Sequence, residues 1–146
     1  MSYASTNDLT TYGIPSAALG TLTNAQQLAQ LDAASAKIDS KLRARYALPL
    51  LAWGTDITEA CCVIAAWNLI CIRGFNPANS GDIAIRTRYE GVDGRGGILK
   101  WLDDVERQAA HPNVTPSATP YQNADAPLVL SAPLQGWRPS NGSSGI

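Results

Sequence analysis

From residue 6 to residue 110 apolar positions recur at helical spacing, and the polar positions between them mark starts and stops. Thr6-Asn7-Asp8 can cap a short helix running to Tyr12, which Gly13 and Pro15 end. Thr23 or Asn24 opens a long helix. Its positions Leu28, Leu31, Ser35, Ile38 and Leu42 step by three and four residues and share one face, with Gln27, Asp32, Lys37, Asp39, Lys41 and Arg43 opposite. Ala33, Ala34, Ser35 and Ala36 allow close helix packing. Pro49 sets the limit, because the residue before a proline is pushed out of the α region.

A second long helix follows Gly54, with Thr55 or Asp56 as its cap. From Ala60 to Ile72 it is apolar on nearly every side, so it is expected to be the buried central helix, stopped by Arg73-Gly74. Asn76-Pro77 marks a turn. A third helical region starts near Ser80 and runs through Ile83, Ile85 and Tyr89, until Gly91, Gly94, Gly96 and Gly97 interrupt it. A last helix over residues 98–110 turns Ile98, Leu99, Trp101, Leu102 and Val105 inward and Lys100, Asp103, Asp104 and Glu106 outward as a solvated face. The expected fold is all-α: a small bundle of three or four main helices.

Beyond residue 110 the helical period stops. Only Asp125 and Arg138 carry charge there, and Pro112, Pro116, Pro120, Pro127, Pro133 and Pro139 recur among Ser, Thr, Asn and Gly. Such a stretch cannot bury enough apolar area by itself to offset its ordering entropy. The chain therefore divides into a helical domain, residues 1–110, and an extended, Pro-rich C-terminal arm, residues 111–146. Within the arm Leu128-Val129-Leu130 is a short β-prone run, and Leu134, Trp137 and Arg138 follow it. These residues, with Trp53 next to Gly54, are the candidate partner interface, since aromatic and apolar anchors dominate interface energies.

Composition narrows the function. Charged residues make up 16 % of the chain, below the usual roughly 25 %, and the net charge is -1. Bulk charge therefore does not hold this protein to nucleic acid or to an anionic membrane. No uninterrupted apolar run approaches the roughly 18 residues of a bilayer span. Residues 1–9 lack the basic and apolar regions of a signal peptide, so a reducing compartment is expected. Cys61, Cys62 and Cys71 lie in one apolar helix and read as small buried hydrophobes. The single histidine, His111, is far from them, so no metal site is expected. The glycines of residues 91–97 lack the Gly-Lys-Ser/Thr of a phosphate loop and the alternating oxygens of a calcium loop. No catalytic residue and no cofactor is assigned.

The strongest charge feature is Lys37, Lys41, Arg43 and Arg45. Lys37, Lys41 and Arg45 step by four along the long helix and form a stripe, partly neutralised by Asp32 and Asp39. It reads as a solvated helix face, or as a contact for an acidic partner surface or for passing DNA.

Several pieces in order carry a resemblance. Tyr3-Ala4-Ser5-Thr6-Asn7-Asp8-Leu9 leads to Tyr12-Gly13. The long helix carries Leu31-Asp32-Ala33-Ala34-Ser35-Ala36-Lys37-Ile38-Asp39-Ser40-Lys41-Leu42 and ends in Arg45-Tyr46-Ala47-Leu48-Pro49-Leu50. Ile85-Arg86-Thr87-Arg88-Tyr89-Glu90 and Leu99-Lys100-Trp101-Leu102 follow. Over residues 1–110 the chain resembles the Mu-like phage Gp36 family and is similar to the head-tail adaptor (connector) proteins of tailed phages. Gly94-Arg95-Gly96-Gly97 departs from it as extra sequence inside a stretch that relatives read as one helix. The resemblance implies a helical structural protein of the virion, located at the head-tail junction. There it forms a ring with copies of itself, twelve subunits in all, between the portal protein and the tail or neck proteins. DNA passes through the channel without sequence-specific binding, and no membrane is involved. The alternatives are another tail-completion protein or a nucleic-acid-binding helical phage protein.

Overall fold

The structure, a computed structural model, describes residues 2–117. The arm residues Leu128, Val129, Leu130, Leu134, Trp137 and Arg138 lie outside the described residues. The first helix is capped by Ser5 rather than by residues 6–8. The Asp8 amide donates to Ser5 Oγ at 3.2 Å and the Ser5 amide donates to the Asp8 carboxylate at 2.9 Å, a reciprocal cap over α1 (Thr6–Asp8). The chain then widens into a π-helical turn, Leu9–Gly13, so the stretch expected as α-helix to Tyr12 is α only at its start. Gly13 permits this turn to lie on the central helix, since a Cβ there would meet the Cys62 carbonyl oxygen at 2.8 Å. A short helix without a sequence forecast, α2 (Ser16–Leu19), buries Leu19.

The long helix α3 (Asn24–Leu42) begins as expected, with Thr23 and Gln26 forming a capping box. Leu31, Ala34, Ser35, Ile38 and Leu42 are buried, but Leu28 is 46 % exposed. At 3.6 residues per turn Leu28 lies about 60° to one side of the centre of the buried stripe, and Ala34, about as far to the other side, is the edge position that is buried instead. The helix also ends before Pro49: Arg43 is its C-cap, and the amides of Arg45 and Tyr46 turn back onto the Leu42 carbonyl. Arg45 is therefore off the helix, and the expected stripe of Lys37, Lys41 and Arg45 is cut short.

After the cis Leu48–Pro49 peptide comes a strand that the helical reading of residues 6–110 does not contain. This strand, β1 (Leu50–Trp53), precedes α4 (Thr55–Arg73), whose N-cap is Gly54 rather than Thr55 or Asp56. As expected, α4 is the central helix, with ten buried residues from Ile57 to Ile70. By length and composition it could span a membrane, but 56 % of its most apolar window is buried inside the molecule, which makes it a core helix. Its last turn is not sealed: Cys71 is exposed and Ile72 is 48 % exposed. The expectation of three buried cysteines thus holds for Cys61 and Cys62 and fails for Cys71, which lies past the point where α3 and the π turn cover the helix.

The third helix, α5 (Ser80–Glu90), is capped by Asn79. Its Asp82 is almost fully buried and pairs with Arg73 of α4; Arg73 also donates to the Ala18 carbonyl at 2.6 Å, and Asp82 accepts the Asn76 amide at 3.0 Å. The glycine-rich stretch is a tight reversal, with Val92 and Arg95 exchanging backbone hydrogen bonds of 2.9 Å, so α5 and α6 (Gly97–Glu106) are separate helices. The last helix stops at Glu106, short of the expected residue 110. The chain then returns to β1 as β2 (Val114–Pro116), antiparallel, with Trp53 opposite Val114 and Leu50 opposite Pro116. Gly54 N donates to Asn113 O at 2.7 Å and Asn113 N donates to the Asp56 carboxylate at 2.7 Å. The compact unit containing the core accordingly runs from Met1 to Pro116, past residue 110. The fold is mostly helical, with α4 at the centre of α3, α5, α6 and the π turn, and a two-stranded ribbon at one end.

Candidate interaction surfaces

The basic stripe is largely consumed inside the molecule. Lys37 Nζ donates to the Tyr89 hydroxyl at 2.7 Å and lies 5.1 Å from that ring's centroid. Lys41 Nζ lies 2.9 Å from both Asp103 and Glu106 on α6. Hydrogen bonds to Glu106 and Asp103 hold the Lys41 ammonium above its ordinary value, and the bond from Lys41 holds the Asp103 carboxyl below its own. Arg45 Nε donates to the Glu106 carbonyl at 3.0 Å. Arg43 is exposed, with no ion-pair partner among the described residues. The acidic face of α6, expected to be solvated, instead ties α6 to α3 through Asp103 and Glu106. No local pattern signals this, because the partners come from opposite ends of the compact unit.

Trp53 is half-buried, and its surroundings form a cleft. Its indole Nε1 donates to the Tyr3 carbonyl at 3.1 Å, and the Thr58 hydroxyl donates to the same oxygen at 3.2 Å. The Tyr3 and Trp53 rings meet edge to face with centroids 4.8 Å apart. Tyr3 is anchored on α3: its amide donates to Ser35 Oγ at 2.9 Å and its hydroxyl donates to the Asp39 carboxylate. Burial, and then the bond to Asp39, push the Tyr3 phenol well above its ordinary value. Tyr3, Asp8, Tyr12, Trp53, Thr55 and Thr58 surround an open cavity of about 560 Å³. Sequence reasoning singled out Trp53 but missed Tyr3 and Tyr12, whose places depend on the π turn and on the distant strand.

A second cavity, of about 390 Å³, lies where α4, α5 and α6 meet, with Glu59, Arg88 and Trp101 on its walls; Arg88 and Glu59 are 3.4 Å apart. A third feature is an aromatic cluster in which Trp67 stacks on Tyr89 at 5.8 Å and meets the edge of Phe75 at 5.6 Å. Leu51 and Val92 are the most exposed large apolar side chains, at 67 % and 60 %. Among the described residues no group of three His, Cys, Asp or Glu side chains converges as metal ligands would.

The comparison with protein families gives one match: residues 3–129 fit the model of the family described as Bacteriophage Mu, Gp36. The chain belongs to this family. It is therefore a bacteriophage protein, related to the virion. The Gp36 match takes in every lining residue of the cleft but Ser2, the whole β1–β2 ribbon, and the first part of the arm as far as Val129. A search of curated proteins finds none that matches.

Proposed function

We propose that this Gp36-family protein is a structural part of the virion, a head-tail adaptor that forms a ring between the portal and the tail and extends the DNA channel. The observation that carries this reading is the family match over residues 3–129, which covers most of the chain. The physical character of the body supports it. A helical bundle around a largely apolar central helix is a rigid building block, and its surface carries Leu51, Val92 and Ile72 as apolar points for subunit contact. In a ring such contacts run head to tail and close by rotation, here with twelve copies. The role is non-catalytic and uses no cofactor. Lys37, Lys41 and Arg45 brace the bundle, leaving Arg43 as the basic residue available to an acidic partner or to DNA in the channel. The C-terminal arm, with Leu128, Val129, Leu130, Leu134, Trp137 and Arg138, is the segment that engages a partner, whether a neighbouring copy, the portal or a tail protein.

The test is capture from phage-producing cells with the tagged full chain and with a version ending at Ser117. Portal or tail protein retained by the full chain and lost from the shorter one is the expected result. Capture of DNA-processing proteins or salt-sensitive retention of DNA, with no portal or tail protein, would sink the adaptor reading.

A further inference from the structure

The cleft beside Trp53 has walls set by the fold rather than by a ligand. The Tyr3 carbonyl fixes both Trp53 and Thr58, and Ser35 and Asp39 fix the buried Tyr3, so the half-buried Trp53 ring is held in place before anything binds. The hydroxyls of Tyr12 and Thr55, also on the cavity wall, have no hydrogen-bond partner among the described residues. A preformed aromatic groove edged by hydroxyl donors suits an extended peptide that is rich in proline. Proline rings pack on aromatic faces, and a proline-rich backbone offers carbonyl acceptors but few N–H donors.

The chain contains such a peptide. Residues 118–146 carry Pro120, Pro127, Pro133 and Pro139 around Leu128-Val129-Leu130 and Trp137, with only Asp125 and Arg138 charged. Along the ribbon Val114 sits opposite Trp53 and Pro116 opposite Leu50, so β2 runs away from the cleft as the chain proceeds toward the arm. The ring reading supplies a second copy to receive the arm. We propose that the cleft of Tyr3, Tyr12, Trp53 and Thr55 receives a proline-bearing stretch of residues 118–146 from a second copy of the chain. The contact is heterologous, cleft on one copy and arm on the next, the form that builds rings or filaments. This inference rests on the ring reading for its context, but it names the receiving site and the donated segment, which that reading does not.

The test uses full-length protein and a labelled synthetic peptide of residues 118–146, read by fluorescence anisotropy. Wild type, at a dilution where it is monomeric in sedimentation, is expected to bind the peptide, and Tyr12→Arg, which fills the cleft with charge, to bind at least tenfold more weakly. Thr55→Arg, an exposed rim position, guards against a folding artefact and is expected to weaken binding in the same way while circular dichroism stays unchanged. In sedimentation, Tyr12→Arg alone and Leu128→Asp/Trp137→Asp alone are expected to lose self-association, and an equimolar mixture to regain a two-molecule complex through the one intact cleft and the one intact arm. Equal peptide binding by wild type and both cleft variants overturns the proposal. So does wild type that stays monomeric in sedimentation while only the Leu128→Asp/Trp137→Asp protein binds the peptide, since the cleft would then be filled by its own arm. Cleft variants that still capture portal or tail protein while the peptide fails to bind separate failure of this contact from failure of the adaptor reading.

Discussion

At the scale of single residues, burial sets the chemistry of the three thiols apart. Burial pushes the Cys62 thiol up to about 12, and burial also raises Cys61, whose sulfur contacts Ser35 Oγ at 3.4 Å. Cys71 is exposed on the last turn of α4, raised by partial burial and then by the Glu90 charge. Because the thiolate is the reactive form, a thiol reagent should modify one cysteine per native chain, faster as pH rises and with its midpoint above that of a free cysteine. Mass mapping is expected to find the label on Cys71, and a second rapid thiol would mean that α3 does not seal α4. Asp82 gives a second residue-scale expectation. Burial alone would raise its carboxyl, but the hydrogen bonds from Arg73 and the Asn76 amide, with the Arg73 charge, outweigh it and hold the group below its ordinary 3.8. A depressed carboxylate contributes stability that is fully present above that ordinary value and is lost as pH falls through the folded value. Asp82→Asn should therefore destabilise by roughly 3 kcal/mol at pH 7, the lower end of the range for a broken buried pair because Arg73 keeps some water. Urea melts should show the gap between variant and wild type closing as the pH drops below 3.8.

At the scale of elements, legibility followed locality. The start of α3 was readable because Thr23 caps it directly before an apolar period, whereas α4 and α5 were placed by their periods alone, their caps being Gly54, not Thr55 or Asp56, and Asn79. The ribbon was not readable: strands of four and three residues, with α4, α5 and α6 between them, show no alternation long enough to stand out. Leu28 was misplaced because it sits at the edge of its stripe, and Cys71 because periodicity gives the direction of a face but not how far along the helix a neighbour covers it. The basic stripe was legible as a pattern, but its partners Tyr89, Asp103 and Glu106 come from other helices. The turn between α5 and α6 offers an element-scale test. Gly91 has φ of +80°, and a Cβ there would meet the Arg95 carbonyl oxygen at 2.2 Å, whereas Gly94, at φ +74°, has open space around it. Gly94→Ala should cost about 1 kcal/mol, the left-handed conformation alone. Gly91→Ala must also move backbone and should cost clearly more, about 3 kcal/mol or above. Equal losses in thermal melts would mean that the reversal is looser than the Val92–Arg95 pairing indicates. Trp67 belongs to the same scale, because its stacking on Tyr89 joins α4 to α5. It is half-buried, so Trp67→Ala should cost about 2–3 kcal/mol rather than the roughly 3–5 of a fully buried large aromatic.

At the scale of the molecule, the question is where the folded body ends. Composition places a boundary near residue 110, where helix-forming residues give way to prolines. The structure gives the first part of that proline-rich stretch to the body. Pro112 is buried, Asn113 bonds to both Gly54 and Asp56, and Val114 and Thr115 pair with Trp53 and Ala52. Proline content misleads here because the ribbon needs only three residues from this side, and Pro116 stands at its end, where a missing N–H costs little. The consequence reaches the cleft, since β2 holds β1, and β1 carries Trp53. A chain cut after Ala110 loses those hydrogen bonds and uncovers one side of Trp53, while a chain cut after Ser117 keeps them. The shorter protein should unfold at lower denaturant, by about 2–4 kcal/mol if two to three partly buried hydrogen bonds and the packing of Pro112 and Val114 are lost. Its Trp emission should shift to the red as well, because the Trp53 ring gains water. Matching midpoints and matching emission for the two truncations would show that the ribbon adds nothing to the body, and that the boundary lies where composition alone puts it.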